Sequence, residues 1–101
     1  MDQVDYLYDE ELLFKMSELF AVFADSTRIR IITMLRQEEK NVSEIAESLG
    51  LSLSAISHQL KVLKTNDLVR SRKEGKYNIY FLSDDHVTSI VDMCKEHLEE
   101  L

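Results

Sequence analysis

Apolar residues recur at helical spacing in five segments of the chain. The first two segments each follow an aspartate suited to a helix N-cap, Asp9 and Asp25. A stripe rich in Met and Phe is typical of a core or a subunit interface, so the first helix is expected to serve one of these roles. The apolar stripe of the first helix consists of Leu12, Leu13, Met16, Leu19, Phe20 and Phe23. In the second helix, Ile29, Ile32 and Leu35 are expected to face inward. The predicted outward positions of the second helix are Arg28, Arg30 and Arg36.

A short turn joins the third and fourth helical segments. Asn41, followed three residues later by Glu44, predicts a capping box, and Gly50 is expected to end the third helix. Ser52 is the expected cap of the fourth helix. The apolar positions of the fourth helix recur at offsets of 3, 4 and 3 and are expected to face a core: Leu53, Ile56, Leu60 and Leu63. Two helices joined by a Gly-containing turn predict a helix-turn-helix.

Two β-rich runs follow the fourth helix, which is expected to end at Asn66-Asp67. They cover residues 68–72 and 77–82 and flank a turn that contains Gly75, which predicts a hairpin. A fifth helix is expected from a Ser83 cap to the end of the chain, with an apolar stripe of Val87, Ile90, Val91, Cys94, Leu98 and Leu101. The predicted fold is therefore mainly α with a β-hairpin wing, a winged helix-turn-helix with the element order α-α-α-α-β-β-α.

The 101 residues are expected to form a single domain, residues 1–101, which is small enough to gain from a partner subunit. Its N-terminal and C-terminal helices are expected to form the interface of a homodimer. The absence of proline and the presence of only two glycines agree with a mostly helical chain. Val4 to Tyr8 is expected either to start a helix or to fray. No 18-residue apolar run and no signal-peptide pattern are present, which predicts a cytoplasmic protein without membrane contact.

Charge is unevenly distributed along the chain. The whole chain has 12 basic and 19 acidic residues. The stretch from Ser54 to Tyr80 contains six basic and two acidic residues, so the remainder contains six basic and seventeen acidic ones. A positive segment on an otherwise acidic protein indicates a local footprint for a polyanion.

The fourth helix and the hairpin are the predicted DNA-binding surface. Opposite its apolar side, the helix presents short hydroxyls, an imidazole and two cations, a combination suited to base edges and phosphates. The expected contacts to double-stranded DNA are Ser52, Ser54, Ser57, His58, Lys61, Arg72, Lys73 and Lys76, with Lys64 on the same side of the helix. The alternative is that this polar side is merely solvated, as it is in most amphipathic helices.

Several motifs taken together resemble the ArsR/SmtB family of winged-helix repressors. They are the run Phe23-Ala24-Asp25-Ser26-Thr27-Arg28-Ile29-Arg30-Ile31-Ile32, the run Ser43-Glu44-Ile45-Ala46 with Gly50-Leu51-Ser52, the run Ser54-Ala55-Ile56-Ser57-His58-Gln59-Leu60, and the basic hairpin. The resemblance implies a homodimer that binds a two-fold-symmetric operator and is released by an inducer, often a metal ion. Ser26 stands where the family commonly has proline, and a helix N-terminus accepts either residue.

Cysteine usage narrows the class of inducer. Many relatives carry a Cys-x-Cys pair at the start of the third helix, where this chain has Asn41-Val42-Ser43-Glu44. With Cys94 as the only cysteine, the chain lacks the sulfur ligands for a soft-metal site and the second thiol for a disulfide switch. Cys94 itself is expected to be a small apolar residue buried in the dimer interface.

The fifth helix offers harder ligands at its two ends. The candidate metal ligands are Asp84 and His86 at the start and His97 and Glu100 at the end. The two histidines are eleven residues apart, roughly 16 Å along a helix, so one helix cannot bring both to one ion. Two copies paired antiparallel can, which gives two equivalent sites per dimer. The same four positions resemble the ligands of the family's zinc-responsive members.

Two imidazoles and two carboxylates favour zinc, while cobalt or nickel would fit if water or further ligands joined. The alternative is that Asp84 and Asp85 only stabilise a helix N-terminus, and that the acidic end of the helix is solvated. The repressor would then answer to another signal or to none. A nucleophile elbow, a phosphate-binding loop and a general-base pair are absent from the sequence, so an enzyme is not expected.

Overall fold

The computed structural model describes residues 8–101, so Val4 to Leu7 lie outside the described residues. Five helices and one hairpin follow the predicted order: α1 (Glu10–Phe23), α2 (Ser26–Gln37), α3 (Val42–Leu49), α4 (Leu53–Thr65), β1 (Val69–Glu74), β2 (Tyr77–Leu82) and α5 (Asp85–Glu99). This confirms the winged helix-turn-helix. None of the described helices is both long and apolar enough to cross a membrane.

Each of the five helices begins at a side chain that accepts a hydrogen bond from its first turn. The caps are Asp9, Asp25, Asn41, Ser52 and Asp84. The prediction of Ser83 as the cap of α5 was wrong. Ser83 lies one residue too early, and its hydroxyl donates to the Asp67 carbonyl at 2.6 Å. The carboxylate of Asp84 accepts from the His86 N–H at 2.9 Å.

The core lies where α2, α3 and α4 meet the base of the hairpin and the start of α5. Its buried members are Val22, Ile31, Ile32, Leu35, Ile45, Ala46, Ile56, Leu60, Leu63, Leu68, Val69 and Val87. Two predicted inward positions were wrong: Ile29 and Leu53 are 36% and 56% exposed. Ile29 lies off the stripe that Ile31, Ile32 and Leu35 define. Leu53 is the first residue of α4 and precedes the turns that pack on the core.

The hairpin is antiparallel, with Val69 opposite Leu82 at its base and Glu74 opposite Tyr77 at its tip. Gly75 adopts a φ of 61° in the turn, a conformation that glycine reaches without strain. A backbone bridge joins the outer edge of β2 to the segment before α3. In this bridge the Tyr80 N–H donates to the Lys40 carbonyl at 2.8 Å, and the Lys40 N–H donates to the Tyr80 carbonyl at 3.2 Å.

The first and last helices extend beyond the core and leave large apolar side chains in solvent. The most exposed of these are Phe14, Phe20, Met93 and Leu98, and Leu101, beyond the end of α5, is exposed as well. The described part of the molecule is accordingly elongated, measuring 58 × 32 × 21 Å. The expected extension of the last helix to Leu101 was wrong, because α5 ends at Glu99 and Glu100 is its C-cap.

Candidate nucleic-acid interface and metal site

The turn between α3 and α4 is built by Gly50. Its φ of 68° and ψ of 33° are left-handed, which lets the chain leave α3 while the Leu51 N–H donates to the Ala46 carbonyl at 3.1 Å. Ser52 follows in extended conformation, and its hydroxyl accepts from the Ala55 N–H at 3.1 Å. The capping box of Asn41 and Glu44 fixes the other end of α3. The predicted helix-turn-helix therefore forms from local signals.

The outer side of α4 is polar and exposed. Successive residues of a helix are rotated by about 100°, which places Ser54 and Lys61 on the side opposite Ile56 and Leu63, with Ser57 beside them. The exposed residues on this side are Ser54, Ser57, His58, Lys61 and Lys64. Exposure and spacing match the prediction, while contact with DNA stays a prediction.

The hairpin lies beside α4 and shares polar contacts with it. The ammonium group of Lys64, in the last turn of α4, donates to the Ser71 hydroxyl in β1 at 2.8 Å. Lys73 and Lys76 are exposed near the tip, and the Lys76 ammonium lies 5.5 Å from the centre of the Tyr77 ring. The helix and the wing are therefore joined through Lys64, and Lys73 and Lys76 are left exposed on the wing.

Arg72 lies between two carboxylates. Its guanidinium contacts Glu39 at 2.6 Å and Glu74 at 2.7 Å, and it lies 5.5 Å from the centre of the Phe81 ring. The hydrogen bond to Glu39, followed by that to Glu74, raises the pKa of the Arg72 guanidinium. The hydrogen bond from Arg72 lowers the pKa of the Glu39 carboxyl. The predicted phosphate contact is thus engaged with acidic groups of its own chain.

Arg28 was predicted to point outward, and this was wrong. Its side chain is 16% exposed and connects three helices. It donates to the Val22 carbonyl at the end of α1 at 2.8 Å and to the side-chain carbonyl of Gln59 in α4 at 2.9 Å. A signal for this was present in the sequence. Arg28 starts the i, i+3, i+4, i+7 repeat that continues with Ile31, Ile32 and Leu35.

The four predicted metal ligands lie at the two ends of α5. Asp84 caps the helix, and its carboxylate lies 3.5 Å from Nδ1 of the exposed His86. His97 and Glu100 are exposed at the opposite end. His86, His97 and Glu100 fall within an arc of roughly 60° around the helix axis. Within one chain, residues 8–101 contain no cluster of three His, Cys, Asp or Glu that could hold a metal ion.

One contact and one exposed side chain also bear on α5. Arg36 and Asp92 form a paired hydrogen bond that joins α2 to the middle of α5, with Arg36 Nη2 donating to Asp92 Oδ2 at 2.7 Å. Asp92 lies on the side of the helix away from His86 and His97. Cys94 is exposed in the single chain, so its predicted burial requires a second subunit.

The fold and the placement of these residues define a winged helix-turn-helix regulator, and comparison with known proteins gives its family. The model of the bacterial regulatory proteins of the arsR family matches residues 25–71. The transcriptional repressor SmtB homolog of a Synechocystis species is 36% identical over 86 residues, which cover 85% of this chain and 65% of that protein.

A cadmium resistance transcriptional regulatory protein, a CadC homolog from Staphylococcus aureus, is 33% identical over 85% of this chain and 72% of its own length. A homodimeric winged helix-turn-helix DNA-binding domain from Mycobacterium bovis, a possible ArsR-family transcriptional regulator, has a TM-score of 0.83. It is 26% identical, with 99% of this chain and 88% of that chain covered. The chain belongs to the ArsR family, whose members are transcriptional regulators and not enzymes.

Proposed function

We propose that the protein is a metal-responsive transcriptional repressor, with zinc as the effector, that binds a palindromic operator as a homodimer and is released when metal binds. The observation that carries the DNA-binding half is the exposed polar side of α4 next to Lys73 and Lys76, on a chain that is otherwise acidic. The family supports a regulator of transcription, and the two repressor and resistance-protein relatives support metal response.

The proposed homodimer uses the helices that the single chain leaves uncovered. Phe20 on α1 and Met93 and Leu98 on α5 are 60–67% exposed, which is unusual for large apolar side chains of a monomer. The Mycobacterium bovis domain of similar fold is homodimeric, which supports the same assembly here. A two-fold axis through the dimer would match the two halves of a palindromic operator.

In this dimer the recognition helix α4 enters the major groove. Ser52, Ser54, Ser57, His58 and Lys61 would contact bases or phosphates from the helix, and Lys73 and Lys76 would contact phosphates from the wing. The two copies of α4 must sit about 34 Å apart to enter successive major grooves on one side of the duplex. Operator affinity therefore depends on how the two subunits pack.

The proposed metal site joins the two subunits. On one side of α5, Ile90 and Met93 lie between His86 and His97, so antiparallel pairing of two α5 helices packs apolar residues at the axis. Asp84 and His86 of one subunit then meet His97 and Glu100 of the other. This is a closed set of two nitrogen and two oxygen ligands, which suits zinc.

Metal binding would fix the packing of the two α5 helices and so change the separation of the recognition helices. The Arg36–Asp92 contact ties α5 to α2, which packs directly on α4. This contact offers a route from the metal site to the DNA-binding helix. Cobalt and nickel are the alternative effectors if water completes their coordination.

A titration of labelled operator tests both halves of the proposal. The probe is a fluorescein-labelled duplex selected by the protein from a random-sequence library, and anisotropy is read with a chelator, zinc, cobalt or nickel. We expect zinc to weaken DNA binding by a factor of about 5 to 150, and operator to weaken zinc binding by the same factor. His97→Ala should abolish the zinc effect, while the control Glu99→Ala, on the side of α5 away from His97 and Glu100, should retain it. Equal zinc affinity with and without operator contradicts the mechanism.

The second candidate is an ArsR-type repressor that does not sense metal. The Asp84 carboxylate already caps α5 through the His86 N–H, which gives that aspartate a role without a cation. On this hypothesis His97→Ala binds operator with the same affinity as the unmodified protein, and zinc does not change the operator affinity of either protein.

A further inference from the structure

The wing has two chemically different sides, because successive side chains of a strand alternate. In β1, Val69, Ser71 and Lys73 share one side, and Arg70, Arg72 and Glu74 share the other. The antiparallel register places Tyr80 opposite Ser71 on the first side and Ile79 opposite Arg72 on the second.

Contacts outside the hairpin show where each side points. Val69 is buried in the core, and Ser71 accepts a hydrogen bond from Lys64 of α4, so the first side faces α4. Arg72 instead reaches Glu39, in the segment between α2 and α3. Lys73 therefore belongs to the side that carries α4, and Arg72 to the side turned away from it.

Charge separates the two sides as well. The guanidinium of Arg72 is flanked by two carboxylates, Glu39 and Glu74, which together outweigh its positive charge. Lys73 is exposed and lies on the same side of β1 as Ser71, which accepts a hydrogen bond from the Lys64 ammonium. A phosphate bound at α4 therefore has Lys73 on its side of the wing, whereas Arg72 and its two carboxylates lie on the other side.

Arg72 also connects the wing to the body of the domain. Glu39 precedes Lys40, whose backbone pairs with Tyr80 of β2 in both directions. The side-chain contact from Arg72 to Glu39 adds a second attachment, to the other strand of the wing. Together these contacts fix the tilt of the hairpin relative to α3 and α4.

We propose that Arg72 is a positioning residue that holds the wing through Glu39, and that Lys73 rather than Arg72 carries the phosphate contact of β1. This inference rests on the proposed DNA binding. It assigns different roles in DNA binding to two neighbouring basic residues that carry the same charge.

The test compares salt dependence, because each phosphate contact adds about 0.9 to the slope of log affinity against log salt concentration. Anisotropy titrations of the selected duplex are run across a potassium chloride series for each variant. In a dimer, Lys73→Gln should lower the slope by about 1.8, one contact per wing. Arg72→Gln should weaken binding by about two- to fivefold, the range of an exposed ion pair, and leave the slope unchanged.

Glu39→Gln gives the sharpest discrimination. A wing held by this contact predicts a loss of affinity similar to that of Arg72→Gln, measured against the control Glu38→Gln, which removes the same charge from the adjacent position. The exchanged pair Glu39→Arg with Arg72→Glu should recover affinity relative to Arg72→Glu alone. If Arg72 contacted phosphate instead, Glu39→Gln would strengthen binding relative to Glu38→Gln, and Arg72→Gln would lower the slope.

The unmodified protein separates the two levels of the proposal. Failure of the proposed function appears as DNA binding that is absent or insensitive to salt for the unmodified chain. Failure of the inference about Arg72 appears only in the variants: Arg72→Gln lowers the salt slope, and Glu39→Gln binds DNA more tightly than Glu38→Gln. Circular dichroism of each variant confirms that its helices are retained, which is expected because both side chains are exposed.

Discussion

Arg28 joins the end of α1 to the recognition helix, and a double-mutant cycle with Gln59 measures that connection. The two perturbations are Arg28→Met, which keeps the unbranched stem and removes the guanidinium, and Gln59→Leu, which keeps the volume and removes the acceptor. The contact between them is a hydrogen bond of 2.9 Å from a charged donor. A second bond, of 2.8 Å, joins Arg28 to the Val22 carbonyl.

The expected loss in the free energy of unfolding follows from the number of hydrogen bonds removed and from their burial. A hydrogen bond that involves a charged group contributes about 1.5–3 kcal/mol, and the Arg28 side chain, only 16% exposed, is little screened by water. We expect Arg28→Met to cost about 2–3 kcal/mol of the free energy of unfolding and Gln59→Leu about 1–2 kcal/mol. The double variant should cost about 1 kcal/mol less than the sum of the two.

The assay is urea unfolding followed by circular dichroism at one fixed protomer concentration, since the stability of a dimer depends on concentration. Arg30→Met is the control, because Arg30 is exposed on the same helix and its loss should change stability by less than about 0.5 kcal/mol. Additive effects of the two substitutions, within about 0.5 kcal/mol, would refute a direct contact between Arg28 and Gln59.

Two further predictions concern the start of α3 and the acidic partner of the wing. Asn41→Ala removes half of the capping box and should cost about 1 kcal/mol in thermal unfolding, whereas Ser43→Ala in the same turn should be close to neutral. The hydrogen bond from Arg72 lowers the pKa of Glu39 from its ordinary value of 4.5. The stability that this contact supplies is therefore fully present above that value and is lost as pH falls through the lowered pKa. The difference in urea midpoint between the unmodified protein and Glu39→Gln should be constant near neutral pH and vanish in acid, and a difference that persists in acid contradicts the assignment.

The elements that the sequence predicted well carry local signals. The capping box of Asn41 and Glu44, the left-handed Gly50 and the cap Ser52 lie within twelve residues, and together they fix the helix-turn-helix without help from distant contacts. The hairpin is equally local, because its turn at Gly75 joins adjacent strands.

The predictions that failed involve a choice between neighbouring residues or a contact across the chain. Ser83 and Asp84 are both good caps, and only the path of the chain after β2 decides between them. Arg28 was predicted to point outward because it is charged, although its position in the apolar repeat indicates an inward side chain. The partner of Arg72 is 33 residues away in sequence, in a segment with no periodic pattern, and only the folded chain brings Glu39 beside it.

The metal site was the hardest part to predict, because it requires two subunits. In one chain His86 and His97 occupy the same side of α5 at opposite ends, and the second subunit that would bring them together is a matter of assembly. Spacing along the sequence supports the ligand set, whereas its closure around one ion depends on the pairing of two chains.

The two edges of the hairpin also limit how this protein can associate. Unpaired strand edges invite neighbouring molecules to add strands and grow into aggregates. Here Lys40 caps the free edge of β2 through its backbone, and β1 carries Arg70, Arg72 and Lys73 along its length. Edge-to-edge strand addition is thereby discouraged. The exposed apolar residues of α1 and α5 remain as the surface through which two chains can form a closed dimer.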